Sequence, residues 1–166
     1  MLVFGEIVSF ETPVYDATVD EKAAMVVIFS FPERQPEASI MSIGTVIRTK
    51  GAPPKKLFGF SRPFTGVDGS RLTLQVIQTN WNGGQRLIGY GYCDLILDTG
   101  TSSRVIDISL WRPKGPCDHG DKVCGTFHSL ADPRLASLPR EIDRRTFETV
   151  SALGKIKVHI QKSGYF

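Results

Sequence analysis

The chain has 166 residues with 41% hydrophobic and 22% charged content, enough for one ordinary domain with a real core and far from a disordered composition. Its net charge is +3: residues 1–83 carry eight charges of each sign, and residues 84–166 carry twelve basic and nine acidic. Such a mild excess is no nucleic-acid footprint, and no run reaches the length of a membrane-spanning helix. The sequence enters strand-like residues at once, so no signal peptide is expected, and three cysteines fit a reducing compartment better than a disulfide framework.

Sixteen glycines and ten prolines cut the chain into short pieces, and long amphipathic helical patterns are almost absent. Strands are expected at 2–10, at 24–31 with Met25, Val27, Phe29 and Phe31 on one face, and at 40–48 with a bulge at Gly44. A fourth strand at 57–61 is expected to close at Pro63. Residues 71–79 alternate cleanly, Leu72, Leu74 and Val76 opposing Thr73, Gln75 and Ile77. The turn signal Asn82-Gly83-Gly84 predicts that 86–97 returns as its hairpin partner. Further strands are expected at 103–111, 145–151 and 154–161, the last with Ile156, Val158 and Ile160 inward and Lys155, Lys157 and His159 outward. Eight or nine strands with turns every ten or so residues predict an all-β, antiparallel β-sandwich in which a single domain spans residues 1–166.

Chemistry-bearing groups are few. Cys117, His119, Cys124 and His128 offer zinc-type ligands within twelve residues, but without paired knuckle spacing, and an irregular loop is the simpler account. Asp16, Asp20, Asp68, Asp94 and Asp98 fall in or near expected loops. Calcium needs about six to eight converging oxygens, and no Asp-x-Asp pair occurs, so these read as turn aspartates. No nucleophile elbow or phosphate cradle is present, so neither an enzymatic activity nor a cofactor is expected. Lys50, Lys55 and Lys56 flank Pro53-Pro54 in one loop, and Arg140, Arg144 and Arg145 cluster later; both suggest contact with anionic lipid at a membrane surface. Aromatic residues and glycines concentrate at 87–92 and at Trp111-Arg112-Pro113. Glycines within a strand admit close approach of another backbone or ring. Tyr90, Tyr92, Trp111 and Arg112 are therefore the expected partner-binding residues.

Several segments together resemble a known family. Leu72-x-Leu-Gln-Val76, Gly89-Tyr-Gly-Tyr-Cys93 and Trp111-Arg-Pro113 are similar to the central part of the B9 domain of ciliary transition-zone proteins. Gly5-Glu-Ile-Val8, Phe60-Ser-Arg-Pro-Phe-Thr65 and Gly154-x-Ile-x-Val158 resemble its first strand, the segment before its central hairpin and its final strand. The resemblance implies a C2-like sandwich, no enzymatic role, and association with other B9-domain proteins and with membrane proteins at the cilium base. Such complexes help control entry into the ciliary membrane. Cys93 and the Trp-Arg-Pro are more similar to B9 domain-containing type 2 members, and the Gly-Glu-Ile-Val start to the Meckel syndrome type 1 member. Residues 114–140, which hold the Cys/His cluster, depart from the family pattern.

Overall fold

A computed structural model describes residues 2–13, 24–31, 34, 36–41, 44–79, 83–98, 102–114 and 149–162. Among the described residues there are nine strands and no helix: β1 (Leu2–Pro13), β2 (Ala24–Ser30), β3 (Glu37–Met41), β4 (Thr45–Ile47), β5 (Lys55–Val67), β6 (Arg71–Thr79), β7 (Gln85–Asp94), β8 (Ser103–Pro113) and β9 (Thr149–Lys162). They form one antiparallel sheet in the order β3-β2-β6-β7-β8-β9-β1-β5-β4. The sheet curls on itself, so β3-β2-β6-β7 and β8-β9-β1-β5-β4 act as two layers. A single cross-strand pair, Tyr90 with Trp111, joins them between β7 and β8.

Period-two alternation selects the core face of each strand. Met25, Val27 and Phe29 of β2 and Leu72, Leu74 and Val76 of β6 are buried from one layer. From the other, Val3, Ile7 and Phe10 of β1, Phe58 and Phe64 of β5, and Ile156, Val158 and Ile160 of β9 meet them. Burying each such side chain fully stabilises the fold by about 1.5–3 kcal/mol. Phe10 and Phe58 stack at 6.0 Å, while Phe64 packs between Phe29 and Phe31 at 6.3 and 5.8 Å.

Three sequence-based expectations change. The strand expected at 40–48 is two strands, β3 and β4, at opposite ends of the sheet order. The strand expected to stop at Pro63 runs to Val67 as β5. Pro63 pairs with Glu6 on one side, whereas β4 covers only Lys55–Leu57 on the other, so no ladder with β4 needs the missing N–H. The two pieces expected at 145–151 and 154–161 are one strand, β9, inserted between β1 and β8.

Candidate functional site

The four residues expected to bind a partner sit at or beside the seam between the layers. On β7, Gly89 and Gly91 lie on the core side, paired with Val76 and Leu74 of β6. A Cβ on Gly89 would stand 2.9 Å from the Ala152 Cβ and 3.0 Å from the Trp111 carbonyl oxygen; one on Gly91 would stand 2.7 Å from Ile108 Cγ2. The glycines thus admit the opposite layer, as the sequence indicates. Tyr90 and Tyr92 take the other side of β7. The ring of Tyr90 is fully buried, lies outside the main core cluster, and packs against Trp111 with centroids 5.6 Å apart at 45°.

This corrects two of the four expected docking residues. Tyr90 at 0% and Arg112 at 5% exposure have no surface to offer a partner. Tyr90 stands at the single pair that joins the layers, so its position explains its burial as packing. Trp111 and Tyr92 remain half-buried. The Arg71 guanidinium lies 4.6 Å from the Tyr92 ring centroid. The same guanidinium holds Asp94 in a two-pronged contact: Nε donates to Oδ1 at 2.7 Å and an Nη donates to Oδ2 at 3.2 Å. Tyr92 is therefore enclosed in a cation–π and ion-pair cluster that ties the start of β6 to the end of β7.

The three lysines expected to contact lipid do not converge. Lys50 is exposed in the turn before β5. Lys55 forms a 2.8 Å ion pair with Glu11. Lys56 is 4% exposed, its Nζ 5.4 Å from the Phe58 ring centroid. Adjacent residues on a strand point to opposite faces, so Lys55 and Lys56 cannot serve one flat surface. Cys117, His119, Cys124, His128, Asp16 and Asp20 lie outside the described residues, as do Arg140, Arg144 and Arg145. Among the described residues no group of three His, Cys, Asp or Glu side chains is placed to hold a metal, and no helix is long and apolar enough to cross a membrane.

Cys93 is buried on β7, and burial, aided by the charge of Asp94 and opposed by that of Arg104, pushes its thiol up to about 12. It is a packed apolar side chain and not a nucleophile.

An apolar surface that sequence reading missed lies on the outer face of β5-β1-β9-β8. Leu2, Phe4 and Val67 are 45–49% exposed, and register places Leu2 opposite Val67 and Phe4 opposite Thr65 and Gln161. Val105, 58% exposed, pairs with His159 across β8 and β9. Glu6 pairs with both His159 and Pro63, accepts a hydrogen bond from the Ser61 hydroxyl, and lies beside Phe4 in an open groove of about 660 Å³. The Ser103 hydroxyl lies 3.0 Å from His159 Nε2. Leu2 and Phe4, alternating with buried Val3 and Gly5, were the visible signal: β1 is apolar on both faces. Only the pairing of β1 with β5 and β9 shows that Val67 and Val105 extend that face.

Comparison with known proteins agrees with this architecture. The first of the C2 domains of a plant Extended Synaptotagmin 1 superposes with a TM-score of 0.51 at 10% identity, covering 99% of this chain and 95% of that one. A structure of CC2D1B matches with a TM-score of 0.46 at 10% identity, over 96% of this chain and 54% of that one. The synaptotagmin likeness identifies the fold as C2-like. No curated protein matches the sequence. A family model described as "Ciliary basal body-associated, B9 protein" matches residues 51–163, a span that runs through the divergent stretch 114–140 and starts after β4. By that match, over more than half of its length, the chain belongs to the B9-C2 family of ciliary basal body-associated proteins.

Proposed function

We propose that the chain is a non-enzymatic assembly module of the ciliary transition-zone (Meckel syndrome) complex. It binds other B9-domain proteins and transition-zone membrane proteins at the base of the cilium and helps gate ciliary membrane composition. The family match carries this reading. One feature of the molecule supports it. The outer face of β5-β1-β9-β8 exposes Leu2, Phe4, Val67 and Val105, with Phe4 lining an open groove, the kind of apolar surface that marks a docking site.

A tagged pull-down from ciliated cells of the source organism, read by mass spectrometry, tests the reading. Two further B9-domain proteins are expected in the eluate. The double substitution Phe4→Glu/Val105→Glu removes exposed apolar surface and should abolish their recovery while thermal stability stays near that of the parent. Recovery of neither protein by the parent chain overturns the assembly role. Undiminished recovery by the double variant moves the interface elsewhere.

A further inference from the structure

We propose that β4 is an open docking edge for an acidic, extended peptide segment, which adds to the sheet as a further strand. This surface is separate from the apolar face, and the inference stands whichever protein donates the segment.

Among the described residues the edge is open by position. β4 is the last strand in the sheet order and pairs with β5 only through Thr45–Leu57, Val46–Lys56 and Ile47–Lys55. All three β4 residues are exposed, with Val46 at 40% and Ile47 at 42%. In an antiparallel ladder, alternate residues aim their N–H and C=O groups away from the existing partner, so an outer strand finds hydrogen-bonding groups ready. Farther along β5 the situation differs: an Arg34 Nη donates to the Thr65 carbonyl at 2.8 Å and Arg62 pairs with Glu37 at 3.0 Å, so that stretch is already contacted.

Charge selects the occupant. Between Glu37 and Asp68 the chain carries Arg48, Lys50, Lys55, Lys56 and Arg62 and no acid. Lys55 is taken by Glu11, Arg62 by Glu37, and Lys56 is buried. Arg48 and Lys50 remain exposed, with no ion pair among the described residues, directly after the open strand. Basic residues at an edge discourage pairing with neutral strands. A second copy of β4 would bring another hairpin of cations and no acid alongside, which is repulsive. An acidic strand is the partner for which the same charges attract. Anionic lipid shares the charge but leaves the directed backbone groups of β4 unused.

The probe is a fluorescein-labelled decapeptide of alternating Glu and Val, titrated with the full chain by fluorescence anisotropy. It should bind, weaken as salt is raised, and perturb the backbone amide resonances of residues 45–48. The double variant Arg48→Glu/Lys50→Glu, at two exposed and unpaired positions, should melt like the parent yet bind about fivefold or more weakly, the effect of losing two surface charge contacts. Val46→Pro or Ile47→Pro, whichever retains the parent melting temperature, should also weaken binding by removing an edge donor. A matched Lys–Val decapeptide should not bind. No binding of the Glu–Val peptide, or equal binding by the charge-reversed variant, overturns the proposal. So does Arg48- and Lys50-dependent binding of phosphatidylserine vesicles without peptide binding, which would assign the cations to a membrane surface.

Discussion

Gly5 should tolerate nothing larger than hydrogen, for a reason set by one ring. It pairs with Phe64 across β1 and β5, and a Cβ built on it would lie 2.1, 2.4 and 2.8 Å from three ring carbons of Phe64. Ordinary carbon contacts begin at about 3.5 Å, so in Gly5→Ala the ring must retreat by roughly 1.4 Å. Retreat is opposed, because Phe64 is held between Phe29 and Phe31. Overpacking of this kind costs about 1–3 kcal/mol. Gly5 is not among the residues with positive φ, so the alanine backbone itself is unstrained. Lower entropy of the unfolded chain returns about 0.4–1 kcal/mol. The net expectation is a loss of about 1–2 kcal/mol, or roughly 2–8 °C in Tm for a chain of this size. Urea unfolding of Gly5→Ala, Phe64→Leu and the double variant measures it. The double variant should lose less than the sum of the singles by about 1 kcal/mol, because the smaller side chain gives the new methyl room. A neutral Gly5→Ala, or strict additivity in the cycle, would refute the reasoning.

Three other outcomes are expected. Cys93 should resist iodoacetamide in the native protein at mildly alkaline pH and react fully once unfolded, read by mass spectrometry of its peptide. Its thiol is raised from 9.0 to about 12 by burial, so the unfolded state ionises first. The associated stability is intact below pH 9 and is lost as pH climbs from there toward 12, which urea titrations across that range will show. Arg71→Ala should cost about 1–2 kcal/mol by removing both the Asp94 pair and the ring contact with Tyr92, and the difference should shrink in high salt because the pair is partly exposed. Lys56→Glu places a carboxylate in a buried site beside Phe58 and should destabilise by about 2 kcal/mol or more, whereas Lys50→Glu should stay within about 0.5 kcal/mol by thermal melts.

The alternating strands were the legible part of the sequence. Leu72, Leu74 and Val76 declare their face by period alone, as do Ile156, Val158 and Ile160, and all six are buried. Pro63 and Gly44 misled in opposite directions, for one cause. A proline ends a strand only where the ladder needs its N–H, and a glycine bulge differs from a strand break only through the partners on either side. Those partners are set by sheet order, which local sequence does not carry. The same limit applied to function. Tyr90 and Trp111 stood out in two separate aromatic segments, but their pairing did not, because an aromatic strand reads alike whether it faces solvent or a seam. The outward Leu2 and Phe4 gained meaning only beside Val67 and Val105, residues 63 or more positions away in the chain.

The place of β9 has a consequence for how the molecule is made. During synthesis β1 emerges first, yet one of its two neighbours is β9, more than 130 residues later. Until Thr149–Lys162 is available, β1 and β8 each present an open edge lined with Val3, Ile7, Phe10, Ile108 and Leu110, and the layer they belong to has no centre. A product terminated before β9 therefore loses more than one strand. It exposes two sticky edges at once, the condition that recruits chaperones and favours aggregation. Loss of the last strand should for that reason be as damaging to cellular abundance as loss of the first, although neither strand contains Tyr90 or Trp111.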